Sequence, residues 1–239
     1  MTGLFFGVFF MARSARLVLP GNPHHIFHQG NNRQPVFYDD GDRLRYLDYL
    51  EKASRQYQVD IHAYVLLDSS VHLLATPSDE EGLARMMQWM GRCYVPWFNR
   101  RYGHSGTLWE GRFRTSVVEA EPWLMKCCRF IEMRPVVKGL AEKAEGYRWS
   151  SYNHHVGTHY SSLVRDSILY WNLGNTPFAR ESAYLSFMQA FSQDEDAYLE
   201  QVLTRGWPLG SRPFIVQLEK LVGHPFRMGR RGRPARKPA

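Results

Sequence analysis

The feature that most constrains the fold is a pair of apolar runs separated by a short polar turn. Residues 59–67 and residues 71–76 are dominated by β-branched, aliphatic and aromatic side chains, as buried strands are. Asp68, Ser69 and Ser70 lie between the two runs and suit a tight hairpin turn. A hairpin of two buried strands cannot be stable alone, so the rest of the chain has to pair with it and cover it.

The segments around the hairpin predict the other elements of a small α+β fold. Turn signals and apolar runs predict strands at 24–29 and 113–118, and Gly30-Asn31-Asn32 ends the first of them. Helical spacing predicts helices, and Pro135 is expected to stop the last one. These predicted helices span 42–57, 80–102 and 121–133. The order strand, helix, strand, strand, helix, strand, helix predicts a ferredoxin-like antiparallel sheet of four or five strands with helices on one face.

The chain divides into four predicted regions. Residues 1–20 are an N-terminal extension, 21–155 the main domain, 156–226 a mostly helical C-terminal extension with helices near 178–191 and 194–203, and 227–239 a basic tail. The tail cannot bury a core, so we expect it to be disordered. The apolar stretch 1–10 is too short to span a bilayer and lacks a cleavage site, which leaves a start-site artefact before Met11 or a short buried strand.

Charge and cysteine content narrow the cellular context. The chain has 30 Lys and Arg against 23 Asp and Glu, and the net charge of +7 fits nucleic acid or another anionic surface without specifying either. Three cysteines without metal-ligand spacing favour a reducing cytoplasm over disulfides. No stretch reaches transmembrane length, so we expect no membrane partner and a cytoplasmic, nucleoid-associated protein.

Basic and aromatic residues together suggest a platform for nucleic acid. Arg100, Arg101, Arg112 and Arg114 flank a segment that contains Trp109 and other rings, and arginines beside rings can bind phosphates and stack on unpaired bases. In the alternative interpretation the rings belong to the core and the arginines to a solvated face. In the tail, Arg230, Arg231 and Arg233 surround a Gly-Arg-Pro sequence suited to the minor groove of AT-rich duplex DNA, although a solubilising tail explains them as well.

Several ordered motifs resemble REP-associated tyrosine transposases, which belong to the His-hydrophobic-His (HUH) group of single-strand nucleases. The resemblance runs from about Gly21 to the C-terminus, and Gln29 departs from it where the family usually has arginine. The motifs that carry it are residues 23–34, 63–67 with 71–74, 98–113, 129–136 with 149–152, and 206–210. The resemblance implies structured single strands, such as hairpins, as the substrate class, with Arg33 in the first motif among the DNA contacts.

The resemblance also implies a catalytic centre, and this chain departs from it at three positions. In the family, two histidines and a third side chain hold a divalent metal while a helix tyrosine attacks a DNA phosphate. The histidine positions fall on Ser70 and His72, the tyrosine on Phe130 and the third ligand on Arg134. Phe130 has no oxygen, Ser70 is a poor ligand and the Arg134 guanidinium repels a cation, although it could bind a phosphate.

We therefore predict a protein that binds single-stranded or hairpin DNA, with no catalytic residue, metal or cofactor, and with the oligomeric state left open. The alternative is an active transposase that uses Mg or Mn and a displaced tyrosine, for which Tyr64, Tyr94 and Tyr102 are candidates, though a packed ring explains each more simply. A decayed product without a role is a third hypothesis. A metal site formed by His24, His25 and His28 is disfavoured, since alternate strand residues face opposite ways.

Overall fold

The computed structural model describes residues 17–223 and 225–226, and its centre is a four-stranded antiparallel sheet. The strands are β1 (His24–Gln29), β2 (Val59–Leu67), β3 (Ser70–Pro77) and β4 (Arg114–Val117), in the order β2-β3-β1-β4. This confirms the predicted α+β fold and its antiparallel sheet. The expectations for residues 1–16, including a start at Met11, and for the tail arginines Arg230, Arg231 and Arg233 fall outside the described residues.

The register of the sheet places the middle of β1 beside His72, the second of the two positions at which the resembled family has histidines. Phe27 of β1 is paired with His72 of β3 on one side and with Arg114 of β4 on the other. The hairpin closes as predicted, with Leu67 opposite Ser70. Because directly opposite residues in antiparallel strands point to the same face, Phe27, His72 and Arg114 share one face of the sheet.

Helices cover both faces of the sheet, and here the prediction of helices on one face is corrected. Tyr64 and Leu66 of β2 pack with α1 (Asp40–Gln56) and α2 (Gly82–Tyr102), whereas Ala63 and Val65 pack with α3 (Ala120–Val137). Eight of the nine β2 residues are buried. A strand covered on both faces reads as a continuous apolar run, and residues 59–67 already had that character.

The ends of α1 and α3 differ from their predicted positions for local reasons. Helix α1 begins at Asp40 because Asp39 and Asp42 form a capping box, each side chain accepting the other residue's backbone N–H. Helix α3 continues through Pro135 to Val137. In the last turn the proline removes a single backbone bond, and the Lys138 N–H still donates to the Arg134 carbonyl at 2.9 Å.

The C-terminal extension packs against α3 and shares its core. The short helix α4 (Tyr152–His155) precedes the extension, whose helices are α5 (Ile168–Trp171), α6 (Pro177–Gln189), α7 (Gln193–Leu203) and α8 (Arg212–Val222). Tyr184 of α6 and Leu199 of α7 belong to the same apolar cluster as Phe130. A backbone bond of 2.8 Å from the Leu209 N–H to the Val117 carbonyl fixes the segment after α7 to β4. Among the described residues, no helix has the length and apolar character to cross a membrane.

Candidate nucleic-acid interface

The four positions that the sequence assigned to a former catalytic centre lie on the α3 face of the sheet. The Nε2 atom of His25 is 3.1 Å from Nδ1 of His72, and the Phe130 ring packs edge-on to both imidazoles, with centroids 5.9 and 5.8 Å away. Ser70 lines the same cavity as His72. Ser70, His72, Phe130 and Arg134 therefore lie in one region of the structure, and their assignment to catalytic positions stays a prediction.

The two histidines at this position are neutral. Burial and, to a smaller extent, the nearby Arg134 charge lower the pKa of His25 to about 3. Burial likewise holds the pKa of His72 well below its ordinary value, with smaller contributions from His25 and the cations Arg134 and Lys138. Neutral imidazoles each have one N–H donor and one acceptor, so a single hydrogen bond links this pair.

Arg134 is buried in an ion-pair cluster supplied by the extension. Its side chain is 1% exposed, and its guanidinium donates to Asp196 and, at 3.0 Å, to Glu200, both on α7. Its Nε donates to the Phe130 carbonyl at 3.0 Å, and its charge lies 4.1 Å from the Phe130 ring centroid. The expected contact of Arg134 with a phosphate is not available in this arrangement, because α7 occupies the space that the phosphate would need.

The candidate replacement tyrosines lie away from this position. Tyr64, Tyr94 and Tyr102 all pack in the cluster on the α1–α2 face of the sheet. The Tyr94 hydroxyl donates to the Val36 carbonyl at 2.7 Å, and the Tyr102 hydroxyl donates to the Asp42 carboxylate at 2.8 Å. Burial and the Asp42 carboxylate raise the pKa of Tyr102 to about 12, which opposes formation of a phenolate.

Only some of the residues in the predicted aromatic and arginine platform are accessible in the described structure. Trp109 is 8% exposed and belongs to the core, with the His28 ring stacked on it at 4.0 Å. This burial argues against base stacking on Trp109, so we leave it out of the interface. Arg101 is paired with Asp39 at 2.6 Å and with Asp42 at 2.8 Å, whereas Arg100 and Arg112 are exposed.

Two predicted DNA contacts, Arg33 and Arg114, meet in an open cleft beside the former catalytic position. The cleft has a volume of about 940 Å³, and the segment after α7 contributes Arg205 and Trp207 to its lining. A neighbouring cavity of about 520 Å³ shares Arg33 and Arg114 and extends to His72. Sequence reasoning missed Arg205 and Trp207, although Trp207 lies in the motif at 206–210 that the resemblance had singled out.

The sheet, α1, α2 and most of α3 can now be compared with known proteins. Residues 22–133 match the family described as "Transposase IS200 like". The resemblance drawn from the motifs is thereby confirmed over this IS200-like domain, which contains Ser70, His72 and Phe130. Arg134 follows its last matched residue.

Searches beyond the family gave fold-level likeness at most. No curated protein matches the chain. A solved structure of a REP-associated tyrosine transposase bound to a REP hairpin is 16% identical, with a TM-score of 0.49 over 66% of this chain and 92% of that one. A putative transposase from Deinococcus radiodurans R1 is 18% identical, with a TM-score of 0.35 over 50% of this chain and 95% of that one.

The donor set in the IS200-like domain does not fit a divalent metal. His72 uses Nδ1 with His25, Phe130 has no donor atom, and the positively charged Arg134 lies within contact of the Phe130 ring. A cation placed here would face a guanidinium instead of a third ligand. Within the part of the chain that the structure describes, no group of three or more His, Cys, Asp or Glu side chains is arranged to hold a metal.

Proposed function

We propose that this protein binds single-stranded or hairpin DNA without cleaving it and derives from a tyrosine transposase of the IS200-like family. The closed catalytic position carries the proposal. Phe130 fills the place of the nucleophile, its ring packs on His25 and His72, and Arg134 is neutralised by Asp196 and Glu200. A phosphotyrosine link needs a phenol oxygen beside a phosphate polarised by a metal, whereas Phe130 has no oxygen and the Arg134 charge opposes a cation at this position.

The binding half of the proposal rests on unpaired surface arginines. Arg33, Arg100 and Arg112 are exposed, and none of them forms an ion pair with another described residue. Among the described residues, the acceptor that Arg114 contacts is a backbone carbonyl, that of Thr204 at 2.7 Å. Guanidinium groups without carboxylate partners remain free for phosphate oxygens, which they bind in a bidentate and salt-sensitive way. A contact of Arg230, Arg231 and Arg233 with AT-rich duplex DNA, and association with the nucleoid, belong to the same proposal.

The test pairs binding and cleavage in one sample. A labelled hairpin with single-stranded flanks, drawn from repeats of the source genome, is incubated with the protein in the absence of metal and with Mg²⁺ or Mn²⁺. Half of each sample is run on a native gel and half on a denaturing gel. We expect a salt-sensitive shift in every condition and neither a shortened strand nor an adduct that survives denaturation.

Two outcomes contradict the proposal. A metal-dependent covalent adduct would support the alternative of an active transposase, and mapping the attached tyrosine would show which residue replaced Phe130. Absence of a shift at low salt would remove the binding function. Arg33→Ala should weaken the salt-sensitive shift. Arg92→Ala is its matched control and should not, because Arg92 is likewise exposed but lies on α2, outside the cleft.

A further inference from the structure

We propose that the C-terminal extension completes the DNA site: Arg205 and Trp207 join Arg33 and Arg114 to hold an unpaired nucleotide segment. The guanidinium groups would bind its phosphates, and the Trp207 ring would stack on one base. This inference rests on the proposed DNA-binding function and assigns to it a place and a substrate class.

The first argument is the convergence of three arginines from distant parts of the chain. Arg33 follows β1, Arg114 begins β4 and Arg205 follows α7, yet all three line the cleft of about 940 Å³. Glu110 is the carboxylate in the same lining. Three guanidinium groups around one polar cavity repel each other unless anions lie between them, and successive phosphates of a nucleic acid supply such anions.

The second argument is backbone strain at the turn that presents Arg33. Asn32 and Arg33 have φ values of 52° and 58°, a left-handed conformation that is uncommon for two consecutive residues other than glycine. Hydrogen bonds hold this turn, from the Arg33 N–H to the Gly30 carbonyl at 2.9 Å and from the Asn31 N–H to the Leu108 carbonyl at 2.9 Å. Strain of this kind is concentrated at functional sites, where the surrounding structure fixes the position of a side chain.

The third argument is the placement of Trp207. The ring is half-buried against the α3-face core and also lines the cleft, with the Arg205 charge 4.9 Å from its centroid. Its backbone is fixed, since the Trp207 N–H donates to the Val202 carbonyl at 3.2 Å. Paired bases within a duplex are already stacked on both sides, so a fixed ring in a cleft is best used by an unpaired base.

The experiment measures binding of the full chain to two labelled probes over a series of salt concentrations. One probe is a single strand, and the other is a blunt hairpin with a minimal loop. The variants are Arg205→Ala, Trp207→Ala and Trp207→Phe, and the control is Arg212→Ala, an exposed arginine on α8 of the same extension. Thermal unfolding of each variant is recorded, so that affinity is compared among folded proteins.

For the single strand, the logarithm of the association constant falls linearly with the logarithm of the salt concentration. We expect Arg205→Ala to reduce the magnitude of this slope by about 1, since one phosphate contact is lost. Trp207→Ala should weaken binding of the single strand roughly tenfold, because one stacked base is lost, and Trp207→Phe should retain most of the affinity. Binding of the blunt hairpin should change less than twofold. Arg212→Ala should match the wild type with both probes.

The outcomes separate this inference from the proposal beneath it. If the wild type binds DNA but Arg205→Ala and folded Trp207→Ala both behave like the Arg212→Ala control, the extension has no part in binding and this inference fails alone. Equal weakening of both probes by folded Trp207→Ala would also overturn it. If the wild type binds neither probe, the proposed function fails, and this inference fails with it.

Discussion

Replacement of Arg134 by methionine is expected to destabilise the protein strongly, because it would leave a buried carboxylate without its partner. Asp196 is 7% exposed and receives a hydrogen bond from the Arg134 guanidinium. Methionine has a similar length and no charge, so the change removes the ion pair with little loss of packing. Loss of one member of a buried pair leaves an uncompensated charge, which lowers the free energy of unfolding by roughly 3–5 kcal/mol.

The second carboxylate contributes less to this effect. The Glu200 side chain is 40% exposed and keeps its contact with Lys138 at 3.1 Å, so its share resembles that of a surface pair, about 1 kcal/mol or less. Lys138→Met is therefore the matched control, since the Lys138 side chain is 47% exposed and also contacts α7. The double variant Arg134→Met with Asp196→Leu should recover most of the loss, because an apolar pair needs no compensating charge.

Urea unfolding, followed by circular dichroism and by tryptophan fluorescence, measures these differences. The reasoning is refuted if Arg134→Met is no less stable than Lys138→Met. It is also refuted if the double variant is as unstable as Arg134→Met alone, because the destabilisation would then not come from the unpaired, buried charge of Asp196.

Three further predictions concern chemistry, the extension and pH. Phe130→Tyr should form no covalent adduct with DNA in Mn²⁺, because a phenol alone restores no metal ligand; an adduct on a denaturing gel would contradict this. Tyr184→Phe should lower the free energy of unfolding by about 1.5–3 kcal/mol, since its hydroxyl donates to the buried Glu132 carboxylate at 2.7 Å, and Tyr198→Phe, 46% exposed, should change it little. Burial lowers the pKa of His24 from 6.5 to about 4, so the unfolded chain binds the extra proton between these values. His24 should then contribute a loss of stability of up to about 1.4 kcal/mol per pH unit as the pH falls from 6.5 towards 4. In urea titrations at each pH, His24→Asn should reduce the slope of stability against pH by that amount and leave the contributions of His25 and His72 in place.

The elements of the sheet were predictable because their signals are local. The bounds of β1 follow from a short apolar-polar run and those of β2 from an apolar run, both ending at turn residues, and both strands lie where these runs predict them. The continuation of α3 through Pro135 was not predictable, because it depends on how one lost bond is offset by the packing of the last turn. The continuous apolar run of β2 already indicated that both faces of the sheet are covered. The order of the elements, taken alone, favoured helices on one face.

The sequence motifs suggested which residues belong to the site, but not what those residues contact. The assignment of Phe130 to the nucleophile position rests on the motif that contains it and stays a prediction. The carboxylates that enclose Arg134, however, lie 62 and 66 residues further along the chain, and spacing says nothing about them. The sequence likewise could not show that the segment after α7 lines the cleft, because the hydrogen bond from Arg114 to the Thr204 carbonyl joins residues 90 positions apart.

The charges on α7 explain how the cleft lined by Arg33 and Arg114 can stay open while the neighbouring position around Phe130 is covered. Glu195 pairs with Lys126 and Arg129 of α3, while Asp196 and Glu200 pair with Arg134, so the acidic side of α7 matches the basic side of α3. Any DNA that entered the former catalytic position would have to break several of these pairs together. The same docking fixes the end of α7 beside β4, which brings Arg205 to Arg33 and Arg114. Under the proposed function, the ion pairs of Arg134 with α7 keep this position covered and leave the neighbouring cleft as the place for DNA.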